Sequence, residues 1–165
     1  MELYTVLTAD VIASRHQETV VTTKKAQLRE LTDAALVTPF TFSRGDEIQA
    51  VLAGVLSSPA LLRKLRYHCL PLQLRIGIGF GRITSGLGAV SSWEMNGPAF
   101  HRARQALDEL KQHRHWRTRL ISGDPGLDQM VNTLLNLYDV IQSRWTYPQW
   151  EGVMVYEATG SYQEA

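Results

Sequence analysis

Between Leu74 and Gly81 the chain reads Leu-Arg-Ile-Gly-Ile-Gly-Phe-Gly, and no other segment limits the fold as much. Alternate residues of a strand face opposite sides. Ile76, Ile78 and Phe80 therefore give one apolar face, while Gly77, Gly79 and Gly81 leave the other bare. A bare strip admits the close approach of another backbone or of a flat ligand. Leu72 to Phe80 is predicted as a strand within a sheet, with something seated directly on it.

The rest of the chain supplies the sheet and its covering helices. Leu3 to Ala9 is apolar or β-branched on both parities, as suits a central strand covered on both faces, and it ends at Asp10. Thr19 to Leu36 sets Val20, Leu28, Leu31, Ala34 and Ala35 at helical spacing, which predicts a helix stopping before Pro39. Phe40 to Ser43 alternates as a short strand, Arg44-Gly45-Asp46 turns, and Ile48 to Val55 returns, a hairpin with acids at its tip and Gly45 allowing the turn. Ser58-Pro59 starts a basic amphipathic helix carrying Leu61, Leu62 and Leu65. Asn96-Gly97-Pro98 opens another through Ala103, Ala106, Leu107 and Leu110. Thr118 to Ser122 is predicted as a last strand, and Leu127 to Ile141 as a helix. The order β-α-β-β-α-β with helices following gives an α/β (α+β) sandwich with a ferredoxin-like core, not a doubly wound sheet.

The chain has 165 residues, 44% of them apolar and 20% charged, enough for one globular core and too apolar for a disordered chain. No apolar run approaches the roughly 18 residues of a membrane span, and Met1-Glu2 begins no signal peptide. A cytoplasmic location without membrane contact is expected. The single cysteine, Cys69, lies in an apolar stretch and is expected in the core. Net charge is +1, but Arg63 to Arg119 holds 11 of the 17 Lys and Arg against Glu94, Asp108 and Glu109. That basic middle suits either a solvated helix face or a phosphate-bearing partner.

Asp10 at the end of the first strand and Asp46 at the hairpin tip form the constellation with chemistry in it. In a ferredoxin-like sheet their strands are neighbours. Two carboxylates at adjacent strand ends repel unless a cation lies between them, so the pair suits Mg²⁺ or Mn²⁺ and a phosphate chain; as structural residues each instead caps a turn. His113 and His115 do not make a metal pair, because alternate residues on a helix point to different sides. His101 lies one turn from Arg104 on the helix after Gly97.

Four blocks, Thr8 to Arg15, Phe42 to Gln49, Leu74 to Gly81 and Met95 to Arg104, together resemble the SatD family of bacterial proteins. More distantly they resemble the catalytic core of class III nucleotidyl cyclases, over about residues 3 to 110. That resemblance implies that Asp10, Asp46 and the carbonyl of Val11 hold the metal, and that a nucleoside triphosphate lies near Arg44, Gly45, Gly97, Arg102 and Arg104. The cyclase asparagine falls on His101 and its transition-state arginine on Gln105, with Arg104 beside it. His101 and Arg104 are thus the nearest to catalytic residues, and cyclisation is expected to be weak or silent. Phe42 stands at the purine-selecting lysine position, with Glu94 near the second. Cyclase-like domains often complete their site in a homodimer, in which Arg102 or Arg104 of one subunit faces Asp10 and Asp46 of the other. Trp93 and the Gly86 to Gly88 stretch would then belong to the contact.

The domain plan expected is a cyclase-like domain over 1–125 and a helical C-terminal segment over 126–165. Trp145 to Trp150 carries a cap and an early proline, and Thr159 to Ala165 reads as a turn into a further helix. SatD-like proteins commonly continue here into a helix-turn-helix. The resemblance therefore implies a truncated helix-turn-helix and DNA as a partner of the complete protein.

Overall fold

The computed structural model describes residues 2–42, 45–56, 59–113, 115–161 and 163. Five strands form one mixed sheet in the order β2-β3-β1-β4-β5, from β1 (Tyr4–Val11), β2 (Leu36–Phe42), β3 (Ile48–Ala53), β4 (Leu74–Gly81) and β5 (Thr118–Ile121). β1 pairs antiparallel with both β3 and β4, β2 pairs antiparallel with β3, and only β5 runs parallel to its neighbour, β4. The order of the first four strands is compatible with the ferredoxin-like core, and β5 extends it by one strand. The helices are α1 (Glu18–Leu28), α2 (Ala60–Cys69), α3 (Pro98–Lys111), α4 (Pro125–Gln142) and α5 (Tyr147–Thr159).

The alternation of β1 divides the core. Leu7, Ala9 and Val11 join Ile48, Ala50, Ile76 and Ile78 under α1 and α2, with Leu135 and Tyr138 of α4 against the same cluster. Tyr4, Val6 and Val51 face the other way and meet Met95, Ala99 and Ala103 at α3. All eight residues of β1 are buried, as the apolar reading of both parities predicts.

The glycine strip receives a backbone. A Cβ at Gly79 would lie 2.0 Å from the Ala99 carbonyl oxygen and 2.3 Å from the Ala103 nitrogen, and one at Gly77 2.4 Å from the Ala103 carbonyl oxygen. Ala99, Ala103 and Ala106, all fully buried, keep α3 equally lean, so helix and strand close to backbone contact. No room remains for a flat ligand on this strip.

The predicted helix over Thr19 to Leu36 ends at Leu28, and Leu36 to Phe42 is a strand that contains Pro39. The proline is tolerated because β2 is an edge strand, with register shifts on both sides of Thr38. Leu31 is buried although it lies outside the helix, which explains why the apolar spacing ran past the helix end. At the opposite edge, Asn132 of α4 accepts from the Leu120 nitrogen at 2.7 Å and donates to the Leu120 carbonyl at 2.9 Å. Cys69 is fully buried, and desolvation pushes its thiol up to about 12. No helix among the described residues is long and apolar enough to cross a membrane.

Candidate functional site

Asp10 and the hairpin tip do lie at neighbouring strand ends, because Ala9 of β1 is paired with Ile48 of β3. Their carboxylates nevertheless enter different surroundings. Asp10 is buried and opposite Arg75, whose Nε and Nη2 donate to its two carboxylate oxygens at 2.8 and 2.9 Å. Lys111, the last residue of α3, adds its ammonium at 3.8 Å. Asp46, with Gly45, instead lines a polar pocket of about 430 Å³ together with Ser14, Arg15, Glu18, Val21, Thr22 and Lys25, on the α1 side of the sheet.

The carboxylate that shares the α3 side with Asp10 is Glu47, which the sequence reading did not single out. Both oxygens of Glu47 accept from Arg104, and this hydrogen-bonded pairing holds the Glu47 carboxyl below the usual range despite partial burial. Arg75, Lys111 and Glu47 are thus the residues that decide the electrostatics around Asp10. Only the period-two alternation beyond the turn, with Glu47 on the parity of Gln49 and Val51, carried a signal for this.

These partners bear on a divalent ion. Asp10 already holds one bidentate guanidinium with an ammonium close by, so a cation approaching it meets positive charge. No group of three or more His, Cys, Asp or Glu able to hold a metal stands together among the described residues. The donor set therefore does not fit an ion resident between Asp10 and Asp46.

The remaining candidates are spread out. Val11 lies at the end of β1, in register with Leu74. Arg44 lies outside the described residues. Gly97 opens α3 beside the far end of β4, where Ala99 meets Gly79 and Gly81, whereas Asp10 pairs near the start of β4. A Cβ on Gly97 would fall 2.6 Å from the Arg82 carbonyl oxygen, so this glycine serves close packing of the β4–α3 connection. His101 is exposed in the first turns of α3, and Gln105 donates to Glu109. Arg102 donates to the Phe80 carbonyl at 2.6 Å. Within one chain, then, the start of α3 and the two aspartates occupy opposite ends of the sheet.

The basic middle is largely matched by carboxylates, five of them from the acidic flanks and Glu109 from within it. Arg63 pairs with Glu157, Lys64 with Asp33, Arg66 with Asp139, Arg75 with Asp10, Arg104 with Glu47 and Arg119 with Glu109. Charge that is segregated along the chain is thus interleaved in space. Arg66 is the most embedded of these cations, its guanidinium donating to Gln142, Thr118 and Asp139.

A five-stranded mixed sheet, with α1, α2 and α4 on one side and α3 on the other, makes this an α/β protein whose polar pocket lies at the β1–α1 turn. The chain matches the model of the SatD family over residues 4–165 and belongs to that family. No curated protein and no solved structure matches it.

Proposed function

We propose that this SatD family protein is a regulatory domain that binds a nucleotide, or another small molecule bearing phosphates, between the β1–α1 turn and the β2–β3 turn without cyclising it. The observation that carries this reading is the lining of the 430 Å³ pocket, where Arg15 and Lys25 bring two cations and Ser14 a hydroxyl beside the carboxylates of Glu18 and Asp46, while the Thr22 hydroxyl donates to the Glu18 carbonyl. Phosphate oxygens take charge-assisted hydrogen bonds from such groups. Among the described residues no carboxylate forms an ion pair with Arg15 or Lys25, in contrast to Arg63, Lys64, Arg66, Arg75, Arg104, Lys111 and Arg119.

In this reading Mg²⁺ or Mn²⁺ arrives on the phosphates as part of the ligand and meets Asp46, while Asp10 stays with Arg75. Catalytic silence follows from the exposure of His101 and from the placement of the α3 start at the other end of the sheet. The output passes through α4 and α5, the segment that the family resemblance links to DNA.

Calorimetric titration with ATP, GTP and inorganic triphosphate, with and without Mg²⁺, tests the proposal. Saturable binding is expected, weakened about tenfold by Arg15→Ala or Lys25→Ala and unaffected by Arg29→Ala. Chromatography after incubation with Mn²⁺ should show no cyclic product. Absence of saturable heat with all three compounds overturns the reading, and robust turnover abolished by Asp10→Ala replaces it with a nucleotidyl cyclase.

A further inference from the structure

Helix α4 carries two apolar faces. Val131, Leu135 and Tyr138 line the cavity against the sheet and α2, and Asn132, Asp139 and Gln142 are buried beside them with polar partners. Adjoining that face is an exposed stripe of Leu127, Met130, Leu134, Leu137 and Ile141, with Val140 alongside, all 39–60% exposed, of which Leu127 and Leu134 also line the cavity. The five stripe positions are separated by three, four, three and four residues. That is the seam of a helix packed against one other helix, each apolar side chain entering a gap between four on its partner. A helix with only one neighbouring layer keeps its outer face polar.

We infer that this stripe is the interface of a homodimer in which α4 of one copy packs against α4 of a second. The spacing calls for a helix as occupant, and the charges favour a copy. The charged side chains of α4 are Asp128 near its start and Asp139, which is buried against Arg66. Nothing charged lies along the stripe to repel a second copy, and nothing there selects an acidic or basic foreign helix. An antiparallel two-fold arrangement sets Met130 against Leu134 of the second copy and Leu127 against Leu137 of the second copy, and the contact closes on itself.

The size agrees with a reversible dimer. Eighteen residues of helix extend about 27 Å. Covering the strip on two copies removes on the order of 1,000 Å², the lower bound for a specific interface. Leu127 and Leu134 also stand at the margin of the apolar cavity of about 360 Å³ between α4 and the sheet, which continues the apolar surface inward.

Sedimentation velocity on the full chain across roughly 1–100 µM reads the outcome directly. The wild type is expected to be dimeric at the upper concentrations and to stay so when salt is raised, since no charge contributes. Leu134→Glu and Leu137→Glu, each on a side chain exposed in the single chain, are expected to weaken association at least 100-fold, with the thermal unfolding of dilute protein unchanged. Val90→Glu, at an exposed apolar residue in the β4–α3 connection, is expected to leave the dimer intact. The double variant Met130→Cys, Leu134→Cys provides a second measurement, because mild oxidation should link two copies covalently. A wild type that stays monomeric throughout overturns the inference. So does a dimer that survives both glutamates, one that dissolves in salt, or a double cysteine variant that fails to cross-link.

Discussion

Asp10 and Arg75 face each other directly across β1 and β4, joined by two hydrogen bonds of 2.8 and 2.9 Å. The guanidinium takes both oxygens of the carboxylate that the family resemblance assigns to metal. A cross-strand pair of this kind fixes the local register and neutralises a buried charge.

Asp10→Asn is accordingly expected to destabilise the fold by about 1–3 kcal/mol, because Arg75 and Lys111 then lack their common counter-charge. Urea denaturation measures the loss, and it should be the same with and without Mg²⁺. The combined change Asp10→Asn, Arg75→Gln should cost less than the sum of its parts. A loss that appears only when Mg²⁺ is present would show instead that Asp10 holds an ion.

Gly79→Ala is expected to cost about 3 kcal/mol or more, since the new methyl group would stand 2.0 Å from the Ala99 carbonyl and backbone has to move. Gly81→Ala should cost less, because its nearest neighbours are the Arg102 guanidinium at 3.1 Å, the end of a side chain able to shift, and the Ala99 nitrogen at 3.2 Å, where a few tenths of an ångström relieve the contact. Melting temperatures of the two variants give the comparison.

Glu47 contributes a pH dependence of known sign. Its carboxyl is held below the ordinary range by Arg104, so its stabilisation is fully present above the unfolded Glu value near about pH 4.3 and is lost as pH falls through the lower folded value. Glu47→Gln should therefore lower stability by a constant amount across the neutral and basic range and flatten the acid side of the profile, where the two proteins converge. The effect is small, because Arg104 is 43% exposed and its charge is screened by water.

Cys69 is expected to resist thiol reagents at pH 8 in the folded protein, with its thiol pushed up to about 12 by full burial. Labelling should follow the unfolding rate and become immediate in denaturant. Rapid labelling without denaturant would place the α2 end in an open state.

Patterns with a single period were legible in the sequence. β1, β4, α3 and α4 all fall where their spacing put them, and the four sequence blocks located the family. The overrun of α1 had a physical source, for Leu31 is buried without being helical and no strong breaker stands between Leu28 and Leu36. The bare glycine face was legible, whereas its occupant, the backbone of α3 at Ala99 and Ala103, was not. What a one-dimensional reading does not carry is the face onto which α3 folds. That choice gives Asp10 to Arg75 and Lys111, places Glu47 beside Arg104, and leaves Asp46 to the pocket at α1.

The closing of the sheet margins by Asn132 and Pro39 has a bearing on how copies of this chain meet at high concentration. Strand-by-strand stacking, the route to fibres, recruits an uninterrupted row of free amides at the outermost strand. At β5 a side-chain amide already occupies both backbone groups of Leu120, and at β2 a residue without an N–H sits in a ladder whose register shifts twice. Neither outermost strand offers such a row, so strand-by-strand growth finds no template at either margin of the sheet.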